Sequence, residues 1–452
     1  MSALAIHSAD AAFDRGMAWA IATARAYRRT GQSGEVPCYW AGLLDREAVY
    51  IRDLVHQAPA AHLLGMQVEN FTMLRAFAGT ATPERQWYPH WSLGFDARIF
   101  EMDFHHDEDC AREIPMVFEP VEMAWSQYQW SGERAWIDDV AIREYSRRAM
   151  KDFVALHDRG EGVAGTDGRH AWPYEGIASY NEGGEGLQIA GDGLASQHAA
   201  QVAWAQMQEA CGAHAGAQAS WATAAHLQRW FAEHWVLPDG TIARGVDHAG
   251  KLVTGFGELN SIYIPAKFLC HPGPATERYL DFIEATVPYQ HGVGFEMRTY
   301  LPEAFFPYGR DEAGWRRLMH MLDSRNPYPE ISFVAVGQTV EGVCGVVPDA
   351  PHHRVMTVPH LPDALAWIAV DGITIGGHVL DLRHERGRST VHHRRGPGPM
   401  TWLCAFPGQG IIRRDGRDVV TTETVLHGRR LTMAGIDMVM DDEVSLTFSP
   451  AD

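Results

Sequence analysis

The chain is poor in basic residues and lacks the motifs that bind nucleotides. Its 452 residues include 38 Lys and Arg against 57 Asp and Glu, which gives a formal net charge of -19 at pH 7. Phosphate backbones and anionic membranes are bound by clustered Lys and Arg, so neither nucleic acid nor a membrane is expected as a partner. No phosphate-binding loop and no GxGxxG fingerprint occurs, so no nucleotide cofactor is expected.

Cysteine is sparse as well, and long apolar runs are missing. The 6 cysteines are scattered and none forms a CxxC pair, which predicts free and mostly buried thiols. No run of about 18 apolar residues occurs, and the N-terminus lacks a basic segment followed by an apolar one. These features favour a cytoplasmic protein without a membrane span.

The segment MDFHHDEDC, residues 102–110, concentrates residue types that bind metals. However, the adjacent His105 and His106 side chains point in different directions, and no HExxH spacing is present. We therefore expect no metal. Asp103 and His105 are instead predicted to form hydrogen bonds with a substrate, with a solvated loop as the alternative.

Helical patterns fill most of the chain up to residue 350. Apolar residues recur at helical spacing, for example at Phe13, Met17, Ala20 and Tyr27. The helical segments alternate with short links and with long loops rich in Trp, Tyr, Gly, Asp and Glu. If successive helices pair as antiparallel hairpins, six hairpins can close a ring whose long loops converge on one mouth. We predict such an (α/α)6 toroid barrel for residues 1–350.

The pattern changes near residue 350 to short alternating segments that are typical of β-strands. Asp415-Gly416 separates two of these segments and is a strong signal for a tight hairpin turn. We predict a small antiparallel β-sandwich domain for residues 351–452, which makes the fold class mainly α with a C-terminal β domain.

One long loop, AWPYEGIASYNEGGEGLQIAGDG at residues 171–193, is rich in glycine, aromatic and acidic residues. Loops of this length inside a compact chain are usually functional or disordered, and the Trp and Tyr content argues against disorder. Two glutamates, Glu175 and Glu182, follow aromatic residues, which indicates the wall of a sugar-binding cleft. Asp192 is predicted to cap the helix that comes next.

Three segments resemble the six-hairpin glycosidases, a large group of glycoside hydrolases and phosphorylases with an (α/α)6 barrel. YIRDLVHQ, residues 50–57, is similar to an Arg-Asp pair that many of these enzymes place at the mouth of the barrel. YPEISFVAVGQTVEGVCGV, residues 328–346, resembles their last barrel helix, which is entered through a Pro-Glu pair. HLPDALAWIAVDGITIGGHVLDLRHE, residues 360–385, resembles their C-terminal β domain.

The resemblance implies cleavage of a glycosidic bond by two carboxyl groups, one as proton donor and the other as base or nucleophile. Enzymes of this barrel type mostly invert, which implies carboxyl groups roughly 6.5–9.5 Å apart. The acid commonly lies on the middle loop, which in this chain is residues 171–193, so Glu182 and then Glu175 are the candidate acids. The base often precedes the last inner helix, which makes Glu330 the candidate and Glu258 its rival. The structural alternatives are contacts to sugar hydroxyls, a turn cap, or, for Glu330, a favourable position on the helix dipole.

Other residues are predicted to hold the sugar. Arg52 and Asp53 would bind hydroxyl groups at one edge of the ring, with a buried ion pair between helices as the alternative. Aromatic rings would stack on the apolar sugar faces, with ordinary core packing as the alternative. The predicted substrate-binding residues are Tyr39, Trp40, Arg52, Asp53, Asp103, His105, Trp172, Tyr174, Tyr180, Asn181 and Arg298.

The sequence therefore predicts an inverting glycoside hydrolase that acts on a small carbohydrate without a cofactor, and it allows for a homodimer. A disaccharide phosphorylase would need a phosphate cradle near the last helix, where only Ser324, Arg325 and Ser332 stand close. A sugar epimerase or isomerase can use the same barrel with histidines as acid and base. A polysaccharide lyase would need a basic groove, and a non-catalytic sugar-binding protein would not need paired acids.

Overall fold

The computed structural model describes residues 4–167, 177–181, 186–289 and 296–451. The α-helices are α1 (Ala11–Ala26), α2 (Ile51–Leu63), α3 (Gln67–Ala78), α4 (Pro115–Ser131), α5 (Ala135–Asp138), α6 (Val140–Arg148), α7 (Val154–His157), α8 (Gly191–Ala210), α9 (His214–Trp235), α10 (Leu259–Ala266), α11 (Pro274–Thr286), α12 (Leu301–Phe305), α13 (Asp311–Ser324) and α14 (Pro329–Gly337). Shorter helical turns are π-helical at Ala149–Phe153 and Gln338–Val343 and 3₁₀ at Glu101–Asp103, Glu296–Tyr300, Phe306–Tyr308 and Ala350–His352.

Six segments of the helical part contact one another in a closed order. Helix α14 packs on α2, α2 on α4, α4 on α8, and α8 on α10. The 3₁₀ turn Glu296–Tyr300 and α12 both contact α10, and the same 3₁₀ turn contacts α14, which closes the order. The remaining long helices lie outside these segments: α1 and α13 contact α14, α3 contacts α2, α9 contacts α8, and α11 contacts α10.

The burial of these helices follows their sequences. All nine residues of α14 are buried, as its nearly all-apolar pattern predicts, and they include Glu330 and Ser332. Helix α9 buries only a stripe that includes Ala217, Ala224 and Phe231, which is typical of an outer helix. Helices α8 and α10 approach so closely at Gly191 that a Cβ there would overlap the backbone carbonyl oxygen of Asn260. Pro59 does not end α2, which continues through it to Leu63.

Two sheets form the β part, and smaller sheets of short strands occur in the helical part. The strands are β1 (Ala5–Ser8), β2 (Arg28–Thr30), β3 (Pro37–Tyr39), β4 (Ala48–Tyr50), β5 (Ser92–Gly94), β6 (Phe104–His106), β7 (Asp109–Cys110), β8 (Leu187–Ala190), β9 (Gly245–Asp247), β10 (Leu252–Val253), β11 (Val346–Asp349), β12 (Arg354–Thr357), β13 (Trp367–Ile375), β14 (His378–Glu385), β15 (Arg388–Arg395), β16 (Met400–Pro407), β17 (Gly410–Arg414), β18 (Arg417–Asp418), β19 (Thr422–Leu426), β20 (Arg429–Met438) and β21 (Glu443–Pro450). One sheet has the order β1-β13-β14-β15-β21-β17-β18, and the other has the order β11-β12-β16-β20-β19. The pairs are antiparallel except β12 with β16.

The prediction of a helical domain followed by a C-terminal, mainly antiparallel sheet domain is confirmed. The Asp415-Gly416 turn joins β17 to β18 with Arg414 opposite Arg417, and both turn residues have positive φ, as the hairpin signal predicts. The chain's first strand, β1, pairs with β13 and so belongs to the β part. The bounds of 1–350 and 351–452 stay a prediction.

Each cysteine is free, and all except Cys211 are buried, which confirms the expectation for the thiols. Within the described ranges, no helix is both long and apolar enough to cross a membrane.

Candidate active site

The candidate site lies where α2, α8, α10 and α14 begin. Asp53, in the first turn of α2, accepts a hydrogen bond from the Tyr328 hydroxyl, which directly precedes α14. The Arg52 Nη2 atom lies 3.7 Å from Asp53 Oδ2. Arg52 and Asp53 therefore lie side by side in α2, and Tyr328 ties Asp53 to the start of the last helix.

Arg52 connects this pair to two other parts of the mouth. Its guanidinium carbon lies 5.7 Å from the centre of the Tyr180 ring, and its Nη1 atom lies 3.8 Å from the Met297 sulfur. Arg52 is buried, and its Nε atom has no hydrogen-bond partner among the described residues. A buried guanidinium with an unused donor is suited to binding a polar group that enters the mouth.

Asp192 fixes the described part of the middle loop. Its Oδ2 atom accepts hydrogen bonds from Ser179 Oγ at 2.9 Å and from the Tyr180 backbone N–H at 2.7 Å. Its Oδ1 atom accepts from the Gly193 N–H at 3.0 Å. The prediction that Asp192 caps the next helix is wrong, because α8 begins at Gly191 and Asp192, already inside the first turn, turns its carboxylate toward the loop.

Tyr180 and Asn181 are the predicted sugar-binding residues of this loop that the structure describes, and Tyr180 is fully buried. The Tyr180 hydroxyl donates to Glu119 Oε2 at 2.6 Å. Asn181 donates from Nδ2 to the Gly257 carbonyl at 2.6 Å and accepts from the Leu259 N–H at 3.2 Å. Asn181 therefore joins the middle loop to the start of α10.

Glu258 lies at that junction in a strained backbone conformation. It directly precedes α10 with φ 48° and ψ -124°, a combination that L-residues rarely adopt. Non-glycine residues in such conformations cost about 1–3 kcal/mol and cluster at functional sites. The strained backbone and partial exposure keep Glu258 a candidate carboxylate.

Glu330 is fully buried in the first turn of α14. Its Oε1 atom lies 2.6 Å from His56 Nδ1, while its Oε2 atom has no hydrogen-bond partner in the described part of the chain. The His56 ring stacks on Tyr300 with centroids 3.7 Å apart and planes at 11°. On its other side, His56 Nε2 lies 3.6 Å from Glu303 Oε2. His56 thus stands between two carboxylates.

A polar cluster continues below His56 inside the helical part. Lys267 Nζ forms ion pairs with Glu119 at 3.2 Å and with Glu122 at 2.9 Å, and it lies 5.0 Å from the Tyr263 ring centre. A cavity of about 150 Å³ is lined by residues that include His56, Glu119, Glu122, Lys267, Tyr300 and Glu303. Burial raises the pKa of Glu122 to about 7 despite the Lys267 ammonium group.

Another group of residues lies beside Tyr50, which directly precedes α2. Trp91 donates from its indole nitrogen to Glu113 Oε2 at 2.7 Å, and its ring meets Tyr50 edge-on at 5.0 Å. Asp103 accepts from Ser92 Oγ at 2.8 Å, and burial raises the pKa of the Asp103 carboxyl. His105 is exposed and pairs with Asp109 at 2.9 Å.

The other predicted site residues have diverse environments. Tyr39 is fully buried, stacks on Phe333 and donates to Asn70 at 2.6 Å. Trp40 is half-buried, and its indole nitrogen donates to the Leu43 carbonyl at 3.2 Å. Arg298 lies beside Met297 in the 3₁₀ turn and donates to the Pro288 carbonyl at 3.4 Å. Glu175, Glu182, Trp172 and Tyr174 lie outside the described residues.

Several residues of the candidate site and of the adjoining polar cluster were not predicted from the sequence, namely His56, Glu113, Tyr300, Glu303 and Tyr328. His56 had a readable signal, because it lies four residues after Arg52 in a helix and so shares its face. Glu113 had one as well, since it shortly precedes the proline that begins α4. No group of three or more His, Cys, Asp and Glu residues in the described ranges is arranged to hold a metal ion.

Comparison with known proteins shows a shared fold. No protein-family model matches the chain, and no curated protein matches its sequence. An α-L-rhamnosidase from Dictyoglumus thermophilum superposes with a TM-score of 0.66 at 10% identity, covering 99% of this chain and 50% of that chain. A GH78-family rhamnosidase of Bacillus sp. GL1 gives 0.61 at 14% identity, covering 88% and 41%. An α-L-rhamnosidase from Aspergillus terreus gives 0.60 at 13%, covering 97% and 50%. The chain thus spans half or less of these structures.

Proposed function

We propose that the chain is a glycoside hydrolase and that its helical part is an (α/α)6 toroid. The closed packing order of α2, α4, α8, α10, the α12 region and α14 supports the toroid, because it supplies six inner segments with other helices outside them. The fold shared with α-L-rhamnosidases supports the activity. The substrate is a small carbohydrate that enters at the mouth defined by Arg52, Asp53, Asn181, Glu258 and Glu330.

Glu330 is the general base in this proposal, and the contrast between its two oxygen atoms carries the assignment. His56 fixes Oε1 at 2.6 Å, which orients the carboxylate. Oε2 is buried and has no hydrogen-bond partner within the described part, so it is the open acceptor for a water molecule that enters with the substrate. A base that is oriented by a neighbouring group and has one open acceptor meets the geometric requirement for activating water. Glu258 is the alternative base.

The proton donor comes from the middle loop, with Glu182 first and Glu175 second. Asp192 anchors the adjoining residues Ser179 and Tyr180, so a donor on this loop would start from a fixed point. The proposed reaction is inverting, as in most enzymes of the barrel type that the sequence resembles, and this requires carboxyl groups roughly 6.5–9.5 Å apart. Arg52 and Asp53 bind hydroxyl groups of the sugar in this arrangement.

The test is a panel of aryl glycosides and disaccharides, led by aryl α-L-rhamnosides and assayed with and without phosphate. Proton NMR of the first product follows the anomeric configuration. We expect hydrolysis with inversion and no acceleration by phosphate. Retention would contradict the inverting mechanism, and failure to cleave any member of the panel would contradict the proposed activity.

Four single variants assign the carboxylates, namely Glu330→Gln, Glu258→Gln, Glu182→Gln and Glu175→Gln. Glu133→Gln, an exposed position after α4, is the control. Loss of a positioned acid or base lowers kcat by about 10²–10⁴-fold. We expect this loss in Glu330→Gln and in one of the two loop variants. Near-normal turnover by Glu330→Gln, with loss in Glu258→Gln, would move the base to α10.

We also propose a cytoplasmic location and a homodimer. Fractionation of the native source tests the location, and light scattering of the purified chain tests the dimer.

A further inference from the structure

The His56 side chain contacts both the mouth and the interior of the helical part. It is the sixth residue of α2, and its ring is held flat against Tyr300 at 3.7 Å. Nδ1 lies 2.6 Å from Glu330 Oε1, and Nε2 lies 3.6 Å from Glu303 Oε2. Both ring nitrogens therefore face a carboxylate oxygen, and only the doubly protonated ring can present an N–H to each.

The two carboxylates differ in their access to water. The Glu330 side chain is 0% exposed, whereas the Glu303 side chain is 28% exposed. Glu303 lines the 150 Å³ cavity below His56 and also a second cavity of about 220 Å³ that reaches the β part at His360 and Arg429. Glu303 can therefore stay hydrated while charged. Glu330 has no such hydration, so its charge depends on a positive partner.

The charges around His56 favour the imidazolium form. Glu330 on α14 and Glu303 on α12 face the ring directly, and Tyr300 covers one face. Glu341 in the π-helical turn, and Glu119, Glu122 and Lys267 in the cavity, complete the surrounding charges, with Arg52 one turn away on α2. Burial lowers the pKa of His56, but Glu303 and Glu330 outweigh burial and raise it to about 9.

We propose that His56 is a positively charged positioning residue and that Glu303, from inside the helical part, keeps it charged so that Glu330 remains an ionised base at the mouth. Glu303 acts on the reaction only through His56. The kinetic consequence rests on the proposed hydrolase function, whereas the charge state of His56 does not.

A purely structural role for the three side chains would have a different signature. A buried network that only joins α2, α12 and α14 would lose stability when Glu303 is neutralised, but it would not change the pH dependence of catalysis. Under our proposal, neutralising Glu303 makes burial the larger influence on the pKa of His56, so His56 loses its proton at a lower pH. Above that pH, Glu330 faces a neutral ring and becomes a poorly stabilised buried charge.

The direct test is an NMR titration of protein labelled with ¹⁵N-histidine between pH 5.5 and 10. His56→Gln identifies the His56 resonances, and Glu133→Gln is the control for loss of one negative charge. In the unmodified chain we expect the His56 ring to titrate with a midpoint near pH 9. In Glu303→Gln the midpoint should fall by at least about one pH unit, while Glu133→Gln leaves it unchanged. Glu303→Asp should give a smaller fall, and it replaces the Gln variant if that variant does not fold.

The kinetic test measures kcat and KM against pH for the same variants on any glycoside that is cleaved. We expect the alkaline limb of kcat in Glu303→Gln to move toward neutral pH by a similar amount, with KM changed less than twofold. A His56 midpoint that is the same with and without the Glu303 carboxylate would overturn the proposal. If no glycoside is cleaved, the hydrolase function fails, but the NMR titration still decides the charge of His56.

Discussion

Asp192→Asn should detach the middle loop while leaving the shape of the residue almost unchanged. The Asp192 carboxylate accepts from Ser179 Oγ and the Tyr180 N–H on one oxygen, and from the Gly193 N–H on the other. An amide can keep only one acceptor oxygen. If that oxygen serves Ser179 and Tyr180, the new NH₂ group faces the Gly193 N–H and leaves a buried donor unsatisfied.

The magnitude follows from these three hydrogen bonds. An unsatisfied buried donor costs about 1–3 kcal/mol, and each of the two surviving bonds loses roughly 1 kcal/mol of charge assistance. Because such contributions are not additive, we expect a total of about 3 kcal/mol. If opening of the loop becomes easier by this amount, hydrogen exchange of its amides should accelerate by about a hundredfold.

The assay is hydrogen exchange read by mass spectrometry on peptides that contain residues 177–181, together with urea unfolding of the whole chain. Asp138→Asn is the matched control, because Asp138 pairs with Arg134 at 2.7 Å with both side chains about half exposed. Exposed pairs contribute about 0.2–1 kcal/mol, so this variant should unfold almost normally. Unchanged exchange at residues 177–181 in Asp192→Asn would refute the anchoring role of Asp192.

Three further substitutions test the packing, the strain and the buried charge of the helical part. Gly191→Ala should destabilise the chain by about 1–3 kcal/mol, because its Cβ would overlap the Asn260 carbonyl oxygen. The control is Gly398→Ala, because no atom lies within 4 Å of a Cβ at that position. Equal unfolding midpoints of the two variants would contradict this expectation. Glu258→Gly should relieve the positive φ and stabilise by about 1 kcal/mol, whereas Glu258→Ala should not, and urea midpoints distinguish the two. The thermal stability of Glu341→Gln minus that of the unmodified chain should increase as the pH rises from 5 to 8. Burial raises the pKa of Glu341 to about 7, so its charge costs stability above the unfolded pKa, on the order of 1–3 kcal/mol; a pH-independent difference would contradict that sign.

The sequence predicted the elements that have a strong local signal. Helix α14 is apolar on nearly all sides and is buried on all sides, and Asp415-Gly416 makes the two-residue turn that its residue types favour. The Arg52-Asp53 pair was recognised through a resemblance; the two residues lie at the start of α2 beside Tyr328, and their role in sugar binding stays a prediction. In each case, a few neighbouring residues carry enough information to fix the local conformation.

The partners of these residues could not be predicted, because they come from distant parts of the chain. His56 and Glu330 are 274 positions apart, and Tyr328 and Asp53 are 275 apart. Only the packing of α14 on α2 brings them together. Asp192 illustrates the converse error, since its local pattern indicated a helix cap while its carboxylate accepts from Ser179 and Tyr180, which lie 13 and 12 residues upstream.

Glu258 and Glu330 show two physical ways of preparing a carboxylate, and they make different demands on the rest of the fold. Glu258 is held by a strained backbone, which fixes the direction in which its side chain leaves the main chain. Glu330 has ordinary helical geometry, but its charge is buried and needs the imidazolium of His56. A base must remain ionised in the presence of substrate, when water is excluded from the mouth. Glu330 meets this requirement through His56, which contacts its Oε1 atom and leaves Oε2 for a water molecule. For this reason we place the base at Glu330 rather than at Glu258.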